Sequence, residues 1–144
     1  MRVYLDNCAL NRPFDDQSDQ RVKAESEAVA TILENVRSHS LELVWSSAID
    51  YENGRSPITE RREAVSQWRS YSLIEIAAGE NVEHYAHDLL EFGIDKLDAI
   101  HIASATIGAA DYFVTTDDKI LRRSGKVAEV NIVNPIDLIE KIQK

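Results

Sequence analysis

Cysteine is nearly absent from this sequence: Cys8 is the only one among 144 residues. A single thiol excludes an internal disulfide and a thiolate zinc cluster, and it fits a reducing cytoplasm. Long apolar runs are missing too. No stretch approaches the ~20 residues a membrane-spanning helix needs, so no membrane association is expected. Met1 leads straight into a strand rather than into a signal peptide, and a cytoplasmic location follows as an expectation. Positive charge is the third shortage. Sixteen Lys and Arg face twenty-five Asp and Glu, a net charge of −9. Nucleic-acid binders commonly show a basic footprint, whereas this chain as a whole repels phosphate. Either the protein does not bind nucleic acid, or divalent cations and local Arg clusters overcome the global sign.

Linkers, internal repeats and low-complexity segments are also lacking, so residues 1–144 are expected to form one domain with its own core. The short apolar run Arg2 to Leu5 stops at Asp6-Asn7 and predicts a buried first strand. A loop follows from Asn11 to Gln17, where Pro13 forbids a continued sheet ladder. Asp19 is positioned to cap a helix from about Gln20 to Arg37, with Val22, Val29, Ile32, Leu33 and Val36 at helical spacing. Glu25 and Glu27 are read as its solvated face, with Glu27 also a candidate for the rim of a cleft. Leu41 to Trp45 predicts a second strand, and Ser46-Ser47 a cap for a short helix ended by Gly54. Ser56-Pro57 reads as the cap and first residue of a helix whose body runs from Thr59 to Arg69. A strand from Tyr71 to Ile76 and a helix from Glu80 to Phe92, closed by Gly93, come next.

The segment Lys96 to Lys119, KLDAIHIASATIGAADYFVTTDDK, then combines three features. It has a helix of small apolar residues from Leu97 to Ala109, a short strand from Tyr112 to Val114, and the acidic turn Thr115-Thr116-Asp117-Asp118. A short helix around Lys119 to Arg123, a strand from Val130 to Val133 and a helix from Pro135 to Gln143 complete the chain. Strands alternate with helices, so the connections are crossovers. The expected architecture is a three-layer α/β/α sandwich around a mostly parallel sheet of four to five strands.

Four carboxylates stand out by position. Asp6 follows the first strand, Glu52 lies on the short helix after the second, Asp98 opens the helix before the fourth, and Asp117 ends the fourth. If the first and fourth strands are neighbours, their C-terminal ends bring Asp6 and Asp117 together at the crevice where open α/β sheets bind ligands. Two carboxylates ~5 Å apart repel by roughly 3 kcal/mol at an effective dielectric of about 20. Four of them take up protons or attract a cation. An oxygen-only donor set favours Mg²⁺ or Mn²⁺ over Zn²⁺, and such ions support phosphodiester hydrolysis by activated water.

The strings VYLDNC, SSAIDYE, KLDAIHIASA and DYFVTTDDK resemble the four signature blocks of PIN-domain ribonucleases, including the VapC-type toxins of bacterial toxin–antitoxin pairs. The resemblance runs from Val3 to about Leu121. It implies that Asp6, Glu52, Asp98 and Asp117 are the metal-binding and catalytic residues, with Asp118 in a second tier. It further implies a Mg²⁺- or Mn²⁺-dependent endoribonuclease with an RNA substrate, a homodimeric assembly and an antitoxin protein as partner. The first block departs from the family's Asp-x-Asn: Asn7 follows Asp6 directly and Cys8 holds the next place. Since that Asn commonly helps orient the first Asp, the departure bears on local hydrogen bonding.

Each residue also has a plainer reading. Asp6 is a turn former at a strand end, and Asp98 a helix N-terminal charge favoured by the macrodipole. Asp117 and Asp118 divide between ligation and capping, and Glu52 competes with Asp50. His101, one turn after Asp98, reads as a packed histidine bonded to the backbone or to a carboxylate. Thr115 and Thr116 either bond a ligand carboxylate or phosphate, or simply suit a strand end; Asp15 and Asp16 have no assigned role. Arg55, Arg61, Arg62, Arg69, Arg122 and Arg123 either meet an RNA backbone or are solvated partners of Glu60, Glu63 and similar acids. A non-catalytic binding module of the same fold is the alternative to an enzyme. A haloacid-dehalogenase-type phosphatase needs Asp-x-Asp after the first strand, where Cys8 intervenes. A response-regulator receiver needs an Asp after the third strand, where Ile76-Ala-Ala-Gly79 offers none.

Overall fold

The structure, a computed structural model, describes residues 1–143. Five strands form its sheet: β1 (Arg2–Leu5), β2 (Glu42–Ser46), β3 (Ser72–Ile76), β4 (Tyr112–Val114) and β5 (Asn131–Val133). All pair in parallel, in the order β3-β2-β1-β4-β5. The helices are α1 (Asn7–Asn11), α2 (Gln20–Arg37), α3 (Ser47–Gly54), α4 (Thr59–Ser66), α5 (Glu80–Leu89), α6 (Lys96–Ile107), α7 (Asp118–Leu121) and α8 (Pro135–Ile142). The expected sandwich and its parallel sheet are therefore present.

Strand β1 is central and its Val3, Tyr4 and Leu5 are fully buried, which explains the uninterrupted apolar run in place of alternation. From β1 the chain winds outward through β2 and β3, then crosses back to place β4 on the other side of β1. Right-handed crossovers in opposite directions put α2 and α6 on opposite faces. There α2 packs beside α8, and α6 beside α5. The small residues of α6 permit close approach. A Cβ on Gly108, at its C-cap, would stand 2.5 Å from Val44 Cγ1 of β2. Gly93 adopts φ +78°, the left-handed region that favours glycine, with the Arg123 guanidinium against it.

Most helix signals hold: Asp19 caps α2 by accepting from the Val22 amide, Ser46 caps α3, and Pro135 opens α8, which Asn134 caps without having been expected to. Others need correction. Pro57 does not open a helix; α4 starts at Thr59 after Ile58, and the Ser56 carbonyl accepts instead from Arg62 Nη1 at 2.8 Å. The helix predicted to Arg69 ends at Ser66 and tightens into a 3₁₀ turn over Gln67–Tyr71 before β3. A similar turn, Leu90–Phe92, ends the helix predicted to run through Phe92. Helix α1, directly after β1, was not anticipated. Among the described residues no helix is long and apolar enough to cross a membrane.

Candidate metal centre

Strand register decides where the site lies. Leu5 pairs with Val114, so the residues just past them, Asp6 and Thr115, emerge side by side at the C-terminal edge where the chain reverses direction across the sheet. Asp6 caps α1, its Oδ1 accepting from the Asn7 amide at 2.8 Å. Its Oδ2 accepts from Thr115 Oγ1 at 2.9 Å and from Cys8 Sγ at 3.2 Å. Cys8 thus supplies a donor to the first carboxylate despite the altered block. Burial, reinforced by the Asp6 charge, pushes its thiol well above the ordinary range, so it stays a protonated donor rather than a nucleophile or thiolate ligand. Burial also lifts the Asp6 carboxyl; the His101 charge and the two side-chain donors counter part of that rise.

Glu52, two turns into α3, meets His101 of α6: His101 Nε2 donates to Glu52 Oε1 over 2.7 Å. The other ring nitrogen, Nδ1, lies 2.6 Å from the Tyr4 hydroxyl, which shares a 2.6 Å bond with Ser46 Oγ. With both nitrogens engaged and no exposed surface, His101 is the packed histidine expected beneath the acids. Burial opposes its charged form. The Glu52 bond and the charges of Asp6, Glu52 and Asp98 outweigh burial, and its pKa is raised. One ligand-capable atom each from Asp6, Glu52 and His101 lie within 4.8 Å of one another. The sequence reading had Asp98 and Asp117 beside Asp6 and Glu52, and did not count His101 in the cluster.

Asp98 stands half-buried in the first turn of α6. Its pKa rises to about 6, by burial first and then by the charges of Asp6 and Asp117, with Glu52 adding and His101 opposing. Asp117 caps α7 through Oδ1, which accepts from the Lys119 amide at 2.8 Å. Its own amide donates to Thr115 Oγ1, so one threonine hydroxyl joins the segments of Asp6 and Asp117. Asp118 is engaged elsewhere: Arg21 Nη1 and Nη2 reach its two oxygens at 2.9 and 2.7 Å. Asp50 likewise accepts from the Trp45 indole and pairs with Arg69.

Glu25 is the principal correction. It is 0% exposed, not on a solvated face. Arg12 grips its Oε1 through Nε and Nη2 at 2.9 and 2.7 Å, while Arg21 and Asn134 donate to Oε2. Asp15 in turn bridges Arg12 and Arg61. Buried charge persists only when paired and hydrogen-bonded. This network ties α2 to the loop after α1 and to the start of α8, and through Arg21 to Asp118 and the Thr116 carbonyl. A signal was present in the sequence: Glu25 lies three after Val22 and four before Val29, on the apolar stripe itself. Arg61 is bound to Asp15 and the Phe14 carbonyl, and Arg69 to Glu75, rather than to Glu60 or Glu63.

The strand order and the helices on both faces make this a PIN-like α/β fold. No family model matches the chain, and no curated protein does. Among solved structures it is similar to VapBC2 from Rickettsia felis bound to a DNA fragment from their promoter. That match has a TM-score of 0.58 and 15% identity, over 93% of this chain and 98% of the matched one. At such low identity the likeness concerns the fold.

Proposed function

We propose that this protein is a divalent-metal-dependent endoribonuclease that hydrolyses RNA phosphodiester bonds. The observation that carries the reading is the cluster at the C-terminal edge of the sheet, where ligand-capable atoms of Asp6, Glu52 and His101 lie within 4.8 Å of one another. The rise of the Asp98 carboxyl, caused first by burial and then by the charges of Asp6 and Asp117, supports adding Asp98 and Asp117 to it. The donor chemistry fits a hard cation. The acids offer oxygen, the Cys8 thiol is protonated, and both His101 nitrogens are already bonded. Asp6, Asp98 and Asp117 would hold Mg²⁺ or Mn²⁺, with Glu52 completing the shell or bridging to a second ion. When bound, such an ion supplies an activated water and neutralises charge on the phosphodiester.

The remaining work falls to the chain itself. Thr115 and Cys8 hold the Asp6 carboxylate in one orientation, and His101 does the same for Glu52. Fixed carboxylates need no reorganisation when charge develops at phosphorus. Cys8 and His101 are both committed to such bonds, which supports direct attack by water without a covalent enzyme intermediate. The blocks resembling VapC-type toxins, together with the fold shared with a VapBC2 assembly, support an antitoxin partner and a homodimer as parts of the same proposal.

Cleavage of single-stranded and structured RNAs with Mn²⁺, wild type beside Asp98→Asn, tests the reading. Cutting by wild type alone is expected. Equal cutting by both, or by neither across a broad set of RNAs, defeats it.

A further inference from the structure

A groove of about 570 Å³ runs between α3 and α6. That volume falls within the ~300–1,000 Å³ of small-ligand clefts. Tyr51, adjacent in sequence to Glu52, lines the groove with 60% of its surface exposed, unusual for a large aromatic with a role only in packing. Leu97 and Ile100 add half-buried apolar surface, and exposed Arg55 and Lys96 add positive charge. Arg55, one turn after Tyr51, sets its guanidinium 5.6 Å from the tyrosine ring centroid. Lys96 lies two residues before Asp98. The groove is thus built from the same two helices that carry Glu52 and Asp98.

Its charge is what separates it from an ordinary hydrophobic seam. Among the described residues Arg55 and Lys96 enter no ion pair, as is also true of Lys23, Arg62, Arg122, Arg123, Lys126 and Lys141. What sets Arg55 and Lys96 apart is that they line one groove together with an exposed aromatic ring. In a chain of net charge −9, two uncommitted cations flanking an exposed aromatic ring mark a place complementary to an anion with a flat apolar body. A nucleotide has that composition.

We infer that the groove between α3 and α6 is a subsite for one unpaired nucleotide of the RNA, its base stacked on Tyr51 and its phosphate met by Arg55 and Lys96. The inference deepens the nuclease reading and rests on it. Stacking on an aromatic side chain tolerates any base but requires the base to be free of a duplex. The subsite therefore selects single-stranded over paired RNA, with little preference for sequence. It also accounts for nucleic-acid binding by an acidic protein: a local pair of cations and a stacking platform act where the global field is unfavourable.

The test is fluorescence of a uridine decamer carrying one 2-aminopurine, titrated with the Asp98→Asn protein so that cleavage does not interfere. Quenching on binding is expected. Tyr51→Ala should abolish the quench and weaken binding about tenfold or more, while Tyr51→Phe retains both. Replacing both Arg55 and Lys96 by Ala should lower the slope of log affinity against log salt by about 0.7, the share of one neutralised phosphate. Tyr51 is exposed, so its variants are expected to melt like the parent. An unchanged quench and affinity in Tyr51→Ala overturns the subsite. So does conversion of a dimer to a monomer by Tyr51→Ala with no change in RNA affinity, which would make the groove an interface between copies. Failure of the nuclease reading appears separately, as wild type leaving the unlabelled decamer and other RNAs uncut.

Discussion

His101 Nε2 sits 2.7 Å from Glu52 Oε1, and this bond holds the side chain of α3 against the base of α6. The fold uses a buried histidine to keep the Glu52 carboxylate aimed towards Asp6. Burial alone would depress the His101 pKa, and the acids reverse that. Glu52→Gln should therefore lower the His101 pKa, followed by NMR titration of the ring. Because the folded value lies above the unfolded ~6.5, protonation stabilises the fold. That contribution is fully present below the unfolded value and disappears as pH rises through the folded one. An unmoved His101 titration in Glu52→Gln would show that the pair is not coupled.

Asp98 carries the same sign in a lower pH window. Its native carboxyl keeps a proton up to about pH 6, against 3.8 for the free group. Between those values the unfolded chain binds fewer protons, so stability declines as pH rises across the window. In metal-free protein, Asp98→Asn should be more stable than wild type at pH 7, with the difference fading towards pH 4. Urea melts in EDTA measure this. Added Mn²⁺ should raise the wild-type midpoint and leave that of Asp98→Asn nearly unchanged.

Glu25 is fully buried between Arg12 and Arg21. Removing Glu25 takes an acceptor from Arg12, Arg21 and Asn134, although Asp15 and Asp118 still pair with the two arginines. Buried donors left short of an acceptor cost about 1–3 kcal/mol. Glu25→Ala should lose stability of that order by chemical denaturation, and Arg12→Met in the same chain should restore part of it. A loss below about 1 kcal/mol would mean the network contributes little to the fold.

Cys8 donates to Asp6 and is held protonated by burial. Iodoacetamide at pH 8 should modify it slowly in the native protein and rapidly after denaturation. Cys8→Ser keeps a donor for Asp6 and should retain most RNA cleavage, whereas Cys8→Ala should lower it. Rapid labelling of the native thiol would contradict the assignment.

Some of this architecture was readable from one dimension. Short apolar and β-branched runs marked the strands, and their alternation with helices required parallel crossovers. The placement of Asp6 and Asp117 just past their strands followed from local pattern because strand ends are short-range features. The caps at Asp19 and Ser46 were readable for the same reason: a capping bond spans two or three residues.

Partnerships between distant residues were not readable. Glu25 lay on the apolar stripe of α2 with Arg21 one turn before it, but its other companions, Arg12 and Asn134, come from outside the helix, and Asn134 is 109 residues away. The same holds for Arg21 with Asp118, Arg61 with Asp15, and Thr115 with Asp6, pairs separated by 46 to 109 residues. Local spacing sets which residues share a face. Which charge meets which depends on how the faces close on one another, so only the folded chain decided that Glu25 is internal, that Asp118 is occupied, and that Tyr51 is left bare.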